Sequence, residues 1–236
     1  MRSPPARSRR ATGLALVSSS PMRRARLNLR LLLALVATAG LVTLASACGS
    51  SKSNANNPTN ALAHSAYKAE AVLKPPTLAP PLALRNYLGK SVNLDSYRGK
   101  AALVTFIYTH CPDVCPLITS NLRVAQNLMG PKIAAKVQII AVSVDARGDT
   151  RKTVARFLAA HEMTGRMQYL VGSTRELARV WKAWGVGSER DAKHPDFVEH
   201  SGLVFGVSAS GKRTTLYSAS FKPADIAHDV ALLANG

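Results

Sequence analysis

Two apolar runs carry most of the structural information in this chain. Residues 101–108 and 137–144 are nearly free of charged and strongly polar side chains, are rich in β-formers and are each one strand long. Both read as strands buried on two faces. Shorter stretches at 82–87 and 91–94, on either side of Gly89-Lys90, predict a β-hairpin ahead of the first run. Residues 167–171 predict a further strand, and 203–207 with 213–218 predict an antiparallel pair turning at Ala209-Ser210-Gly211-Lys212. Helical spacing fills the intervals. One helix follows the first run and extends to about Met129, where Gly130-Pro131 predicts its end. Asp149 reads as the N-cap of a helix over 150–160. Ser173-Thr174-Arg175-Glu176 has the form of a capping box. The helix it opens puts Leu177, Val180, Trp181 and Trp184 on one stripe, a core-facing pattern, before Gly185 stops it. Pro223 suits the first turn of a last helix reaching about Leu233.

Strands interleaved with helices, closed by a hairpin and a terminal helix, make this an α/β chain. The order predicts a thioredoxin-like fold, a central mixed β-sheet flanked by helices with an N-terminal β-hairpin. The folded part should occupy 78–236 as one domain without repeats. A domain of about 160 residues buries about 70% of its unfolded surface and needs no structural disulfide.

The first 47 residues have a different character. They hold eight arginines and no acidic residue, followed by an apolar run at 31–44 and then Ala45-Ser46-Ala47-Cys48-Gly49. A charged start, a short apolar stretch and small residues before a cut are the parts of an export signal. The apolar run is too short for a comfortable membrane span. Small residues leading into a lone Cys resemble a bacterial lipoprotein signal. That resemblance implies that Cys48 becomes the lipidated first residue, with Ala45 departing from the Leu usual there. Residues 22–48 alone would make a complete signal, so Met22 is an alternative start. Residues 48–77, rich in Ser, Asn, Ala and Pro, read as a flexible tether. The expected location is the cell membrane, lipid-anchored, on its extracytoplasmic face.

Net charge is +18 over the whole chain; without the leader, 23 basic and 13 acidic side chains remain, scattered along the sequence. Such a surface suits an anionic headgroup layer or an acidic partner, and an exported chain has no nucleic acid to bind.

The candidate chemistry lies directly after the first apolar run, in Tyr108-Thr109-His110-Cys111-Pro112-Asp113-Val114-Cys115-Pro116. Cysteines at i and i+4 on a helical turn have Cβ atoms about 5–6 Å apart. Two such thiols can hold one soft metal ion or, after a small adjustment, form a disulfide. The spacing is one residue longer than a thioredoxin redox pair. A helix N-terminus lowers thiol pKa, which serves either chemistry. A third donor has to come from six histidines. His64 falls in the tether, His228 on the last helix and His194 in the loop Asp191-Ala192-Lys193-His194-Pro195. His161 ends a helix, where a cation favours the dipole. His110 adjoins Cys111, and neighbours rarely point at one ion. His200 stands just before the strand from 203, where a thioredoxin-type fold faces its cysteine pair, and is the favoured third donor.

Leu94-Asp95-Ser96-Tyr97-Arg98-Gly99-Lys100, the buried strand, the cysteine segment, Ser143-Val144-Asp145 and Glu199-His200-Ser201 occur in this order. Together they resemble the SCO/SenC family of copper-binding proteins over nearly all of 78–233. The resemblance implies a membrane-tethered metallochaperone, not an enzyme. It would bind one copper ion, Cu(I) or Cu(II), through Cys111, Cys115 and His200, and assist assembly of the binuclear copper centre of cytochrome c oxidase. Its partners would be the copper subunit of that oxidase and another copper chaperone or a thiol reductant, with the chain itself a monomer. Asp113 and Asp145 are candidates to support the ligands. Ala146, where the family usually has Pro, and Gly148, which interrupts a charged run, are departures in a loop. The alternative is an extracytoplasmic thiol–disulfide oxidoreductase keeping client cysteines reduced, with Cys111 attacking and Cys115 resolving. A peroxidase lacks the supporting Thr and Arg set, and a purely structural disulfide leaves His200 without a role.

Overall fold

The first apolar run forms β4 (Ala101–Ile107), and every residue of it is buried. The computed structural model describes residues 65–190, 198–200 and 202–236, with backbone alone for 188–190 and 198–200. The expected signal at 1–47, Cys48, most of the tether, His64 and His194 lie outside the described residues.

β4 pairs in parallel with β5 (Val137–Ser143), from Ala101↔Val137 to Ile107↔Ser143, so the two strands end level. β5 pairs in parallel with β6 (Met167–Val171). Parallel neighbours need a crossover, and the chain supplies α1 (Val114–Leu128) and α3 (Arg151–Ala160) as the crossovers. On its other side β4 is antiparallel to β9 (Val204–Val207), which pairs with β10 (Lys212–Tyr217). The predicted hairpin is β2 (Ala83–Asn86) and β3 (Ser91–Asn93), and β2 also pairs with β6, so the hairpin extends the main sheet. With an edge strand β1 (Ala71–Leu78), the order of the main sheet is β1-β10-β9-β4-β5-β6-β2-β3. A strand buried on both faces requires cover on both, and α1, α3, α4 (Thr174–Trp184) and α5 (Pro223–Leu233) provide it.

Three expectations need correction. The stretch expected as tether to 77 contains β1 (Ala71–Leu78), antiparallel to β10 at the sheet edge. Its residues are mostly exposed and include Pro75 and Pro76, so no apolar alternation marks it. The pairing register breaks between Val72 and Thr77, around residues without an amide hydrogen, as an edge strand allows. Second, Gly130-Pro131 ends α1 but not helical structure. Gly130, at φ 68°, turns the chain, and a short α2 (Gly130–Ala134) begins with Pro131 in its first turn. Third, the N-cap of α3 is Thr150, not Asp149. Thr150 accepts from the Thr153 amide at 3.2 Å while Thr153 Oγ1 accepts from the Thr150 amide at 2.8 Å. The hydroxyl pair makes the box, so Asp149 turns inward.

α4 follows its prediction. Ser173 and Glu176 cap it reciprocally, Leu177, Val180 and Trp184 are buried, and Gly185 closes it at φ 69°. Trp181 is half-buried and donates its indole N–H to Ser143 O at 2.9 Å. Among the described residues no helix is long and apolar enough to cross a membrane. A cavity of about 440 Å³, lined in part by Leu82, Tyr97, Arg98, Ala102 and Val207, opens at the amino end of β4.

The segment leading into β1 is held by Asp229 of α5, whose carboxylate is fully buried. It accepts from the Lys68 amide at 2.8 and 3.0 Å and from Tyr217 Oη at 2.8 Å, and it pairs with His228 Nδ1 at 2.8 Å. Removing this acceptor strands the donors. Asp229→Ala is therefore expected to destabilise the domain by about 1–3 kcal/mol for each buried donor left unpaired, read from the urea midpoint, with Asp229→Asn recovering part of the loss.

A candidate metal and redox site at the ends of β4 and β5

The carboxyl ends of parallel strands are where α/β sheets place their chemistry, because loops there leave the sheet side by side. Beyond β4, Tyr108 is still buried, Thr109 and His110 turn outward, and Cys111 lies in the turn before α1. Cys115 is the second residue of α1. The two thiols therefore straddle a turn–helix junction and do not share one helical face. The Cys115 amide donates to Cys111 Sγ at 3.4 Å, which fixes the sulfur over the first turn. Cys111 keeps 8% of its surface exposed and Cys115 none.

The pair is electrostatically asymmetric. Cys111 is lowered to about 6, first by a hydrogen bond from the Cys115 thiol and further by the amides of Asp113 and Cys115 and by Tyr108, against the opposing effect of burial. Cys115 is raised, first by that same hydrogen bond, then by burial, and additionally by the negative charge of Asp149. At neutral pH the site holds one thiolate and one thiol that donates to it, the arrangement of a nucleophile with its partner.

Asp149 organises the floor of the site. Its buried carboxylate accepts from the Thr109 amide at 2.8 Å through Oδ1. Through Oδ2 it accepts from Ser143 Oγ at 2.6 Å and Tyr169 Oη at 2.8 Å. Sequence reasoning missed this role. The available signal was that Thr150 and Thr153 can cap α3 by themselves, which frees the preceding Asp. Asp145 is also buried, and its Oδ1 accepts from the Arg147 amide at 3.1 Å. A Cβ on Gly148 would run into the Asp145 carboxylate and come within 3.1 Å of His110 Nδ1. The glycine is required by that close approach. Asp113 is exposed and flanks α1 without a side-chain cap.

The histidines separate clearly. His110 Nδ1 is hydrogen-bonded to Thr109 Oγ1 at 3.2 Å. His161 pairs with Ser120 Oγ at 3.1 Å, and burial, followed by Arg123, lowers its pKa. It therefore stays neutral at the end of α3, where a cation was expected. His228 belongs to the Asp229 cluster. His200 lies in β8 (Val198–His200), where its backbone pairs with Ser188 of β7 (Ser188–Arg190) just ahead of β9; its side chain lies outside the described residues. Among the described residues, no three His, Cys, Asp or Glu side chains converge on one point.

This cysteine-bearing domain, from β1 to the end of α5, matches the SCO1/SenC family model over residues 71–235. The chain belongs to the SCO1/SenC family. The match begins with β1, seven residues earlier than the motifs indicated. The human mitochondrial SCO1 homolog is 24% identical over 160 residues, covering 66% of this chain and 52% of that protein. The chain spans about half the length of the curated relatives it matches. Among solved structures, copper-bound ScoI from Bradyrhizobium japonicum is 28% identical, with a TM-score of 0.58 over 66% of this chain and 99% of that one. BsSco, described as a Sco-family cytochrome c oxidase assembly protein with a disulfide switch, is 27% identical, with a TM-score of 0.56 over 68% and 95%. These likenesses bear out the thioredoxin-like mixed sheet flanked by helices that the sequence predicts.

Two outcomes follow from the SCO1/SenC site as built. Alkylation of the reduced protein by iodoacetamide should label Cys111 first. The rate should rise with pH through a midpoint near 6, because only the thiolate reacts, and Cys115 should stay protected. Gly148→Ala should cost about 1–3 kcal/mol in thermal or urea unfolding, since the added methyl must displace the Asp145 carboxylate or the His110 ring.

Proposed function

We propose that this SCO1/SenC protein carries one copper ion as cargo on Cys111, Cys115 and His200 and assists assembly of the copper centre of cytochrome c oxidase. The observation that carries the reading is the adjacent thiol pair at the strand end, with Cys111 already ionised near neutral pH. Two sulfur donors, one of them a thiolate, are the donor set that Cu(I) prefers, and an imidazole extends the site to Cu(II). The copper-bound state of ScoI and the oxidase-assembly description of BsSco support the same conclusion. Asp113 would border the incoming partner, and Asp145 would steady the loop beside His110. Cys48 would carry the lipid that keeps the domain at the extracytoplasmic face of the cell membrane, with residues between it and β1 as the connection.

A second reading has its own support. A thiolate accepting from a buried thiol is also the resting state of a thiol–disulfide oxidoreductase, with Cys111 attacking and Cys115 resolving. The disulfide switch described for BsSco supports this chemistry. His200 separates the two, because a redox-only mechanism has no use for it.

Copper titration of the reduced chain without its first 48 residues, beside His200→Ala, tests the proposal. Stoichiometric Cu(I) binding is expected in both. In the variant, Cu(II) affinity should fall about a hundredfold, about 2.7 kcal/mol, and the thiolate-to-copper charge-transfer band should disappear. Equal Cu(II) binding by the two proteins would remove His200 from the site. Absence of tight copper in either oxidation state would leave the redox reading.

A further inference from the structure

The backbone of His200 belongs to a small sheet separate from the one that leads into the thiols. The two are joined by the short stem between β8 and β9, and Gly202 and Leu203 of that stem meet the main body of the domain on two sides. The β4–β9 ladder ends at Thr105↔Val204. One residue further along the stem, Leu203 O accepts from Thr105 Oγ1 at 2.9 Å. Thr105 is the only polar side chain of β4 and is fully buried. A buried hydroxyl is costly without a partner, and Leu203 O supplies the acceptor.

Gly202 makes the second contact. A β-carbon there would stand 3.3 Å from Ala219 Cβ, 3.6 Å from Ile118 Cδ1 and 3.9 Å from Val114 Cγ2. The φ of Gly202 is not left-handed, so its backbone suits any residue; the space does not. A β-carbon fills it, and γ-carbons would have to enter Ala219 or α1. Val114 precedes Cys115 directly, and Ile118 follows it by three residues. The stem is therefore seated on the same stretch of α1 that holds the second thiol. From Gly202 to His200 is two residues, a span of at most about 7 Å.

We propose that Thr105 and Gly202 are positioning residues for His200: they seat the stem between β8 and β9 on the start of α1 and so hold position 200 within reach of Cys111. This rests on the copper reading for the role of His200, and on the packing of the stem for its placement.

The experiment measures that reach without copper. In the full chain in detergent, Cys115→Ala with His200→Cys leaves Cys111 a new thiol to capture. A disulfide requires Cα atoms within about 7 Å, so the bond reports the approach of position 200. Equilibration with oxidised and reduced glutathione forms one protein S–S bond from two thiols as one oxidised glutathione becomes two thiols. The tryptic peptide joining positions 111 and 200 is counted by mass. Gly202→Val is expected to lower the capture constant about tenfold, and adding Ala219→Gly, which removes the nearest carbon, to restore most of it. Thr105→Val keeps the shape, removes the donor and should lower capture about threefold.

Absence of capture with the unaltered stem, equal capture in Gly202→Val, or a loss that Ala219→Gly does not recover overturns the proposal. A lower urea midpoint with unchanged capture marks a purely structural role and overturns it too. If Gly202→Val does not fold, Thr105→Val decides by the same measure. Copper is titrated separately into chains that keep Cys111, Cys115 and His200. There Gly202→Val should weaken Cu(II) binding about tenfold and leave Cu(I) bound, and unchanged Cu(II) affinity overturns the proposal. Failure of the wild-type protein to bind copper removes the copper reading and leaves capture readable, whereas copper binding beside unresponsive capture removes only the seat.

Discussion

The parallel pairing of β4 with β5 is the constraint on which the rest of this structure depends. Both strands are buried along their length and end level, at Ile107 and Ser143. Their following loops therefore leave the sheet side by side, and Val144 continues the pairing by donating to Ile107 O at 3.0 Å. One loop carries the cysteines and the other carries Asp145 and Asp149. Only because the strands end together can one carboxylate reach the Thr109 amide, Ser143 and Tyr169 at once. A shift of one residue in this pairing would turn every side chain to the opposite face and separate the two loops.

The same placement explains why one site can serve two chemistries. A thiolate is required for soft-metal binding and for attack on a disulfide, and the first turn of α1 supplies it at Cys111 through two amides and the Cys115 thiol. The hydrogen bond to Cys111, then burial and, least, the Asp149 charge hold the proton on Cys115. Copper would displace that proton, whereas a disulfide partner would leave it until the resolving step. The chemistry at the pair is then decided by what approaches it, and the third donor becomes the discriminating part. His200, the proposed third donor, stands in β8, whose backbone pairs with β7 in a two-stranded sheet separate from the main one.

What could be read from the sequence follows from how strongly each residue type signals its role. β4, β5 and α4 were legible because continuous apolar runs and a Ser173/Glu176 box have few alternative meanings. The cysteine segment was legible because two thiols at short spacing are rare in a domain that needs no structural disulfide. β1 was not, since an exposed edge strand containing Pro75 and Pro76 has the composition of a linker and acquires its partner only from β10. Asp149 was hidden by a correct rule applied to the wrong residue: Asp before a helix is a good cap, but Thr150 and Thr153 satisfy each other and release it. The threonine pair is a local hint, but it does not say where a released Asp149 goes. The choice is made by Tyr169 and Ser143, on strands 20 and 6 residues away from it in sequence.

The departures from the family pattern can be judged on the same physical grounds. Ala146 and Gly148 lie in a loop that closes on itself, with the Asp149 amide donating to Asp145 O and the Thr150 amide to Gly148 O, each at 3.0 Å. Thr153 Oγ1 adds a third closure to Gly148 O at 2.8 Å. The loop's conformation is thus set by its own backbone, and a proline at 146 is not needed to hold it. Gly148 carries more weight, because the space in which its Cβ would stand is taken by the Asp145 carboxylate next to His110. A larger residue at 148 has to push Asp145 or His110 aside, and this chain gives up a side chain at 148 to keep them together. The loop is constrained where Gly148 meets Asp145 and His110, and Ala146 packs partly against the core, while Arg147 is exposed. A change at 147 can therefore alter the loop's surface while Asp149, Thr109 and the thiols keep their arrangement.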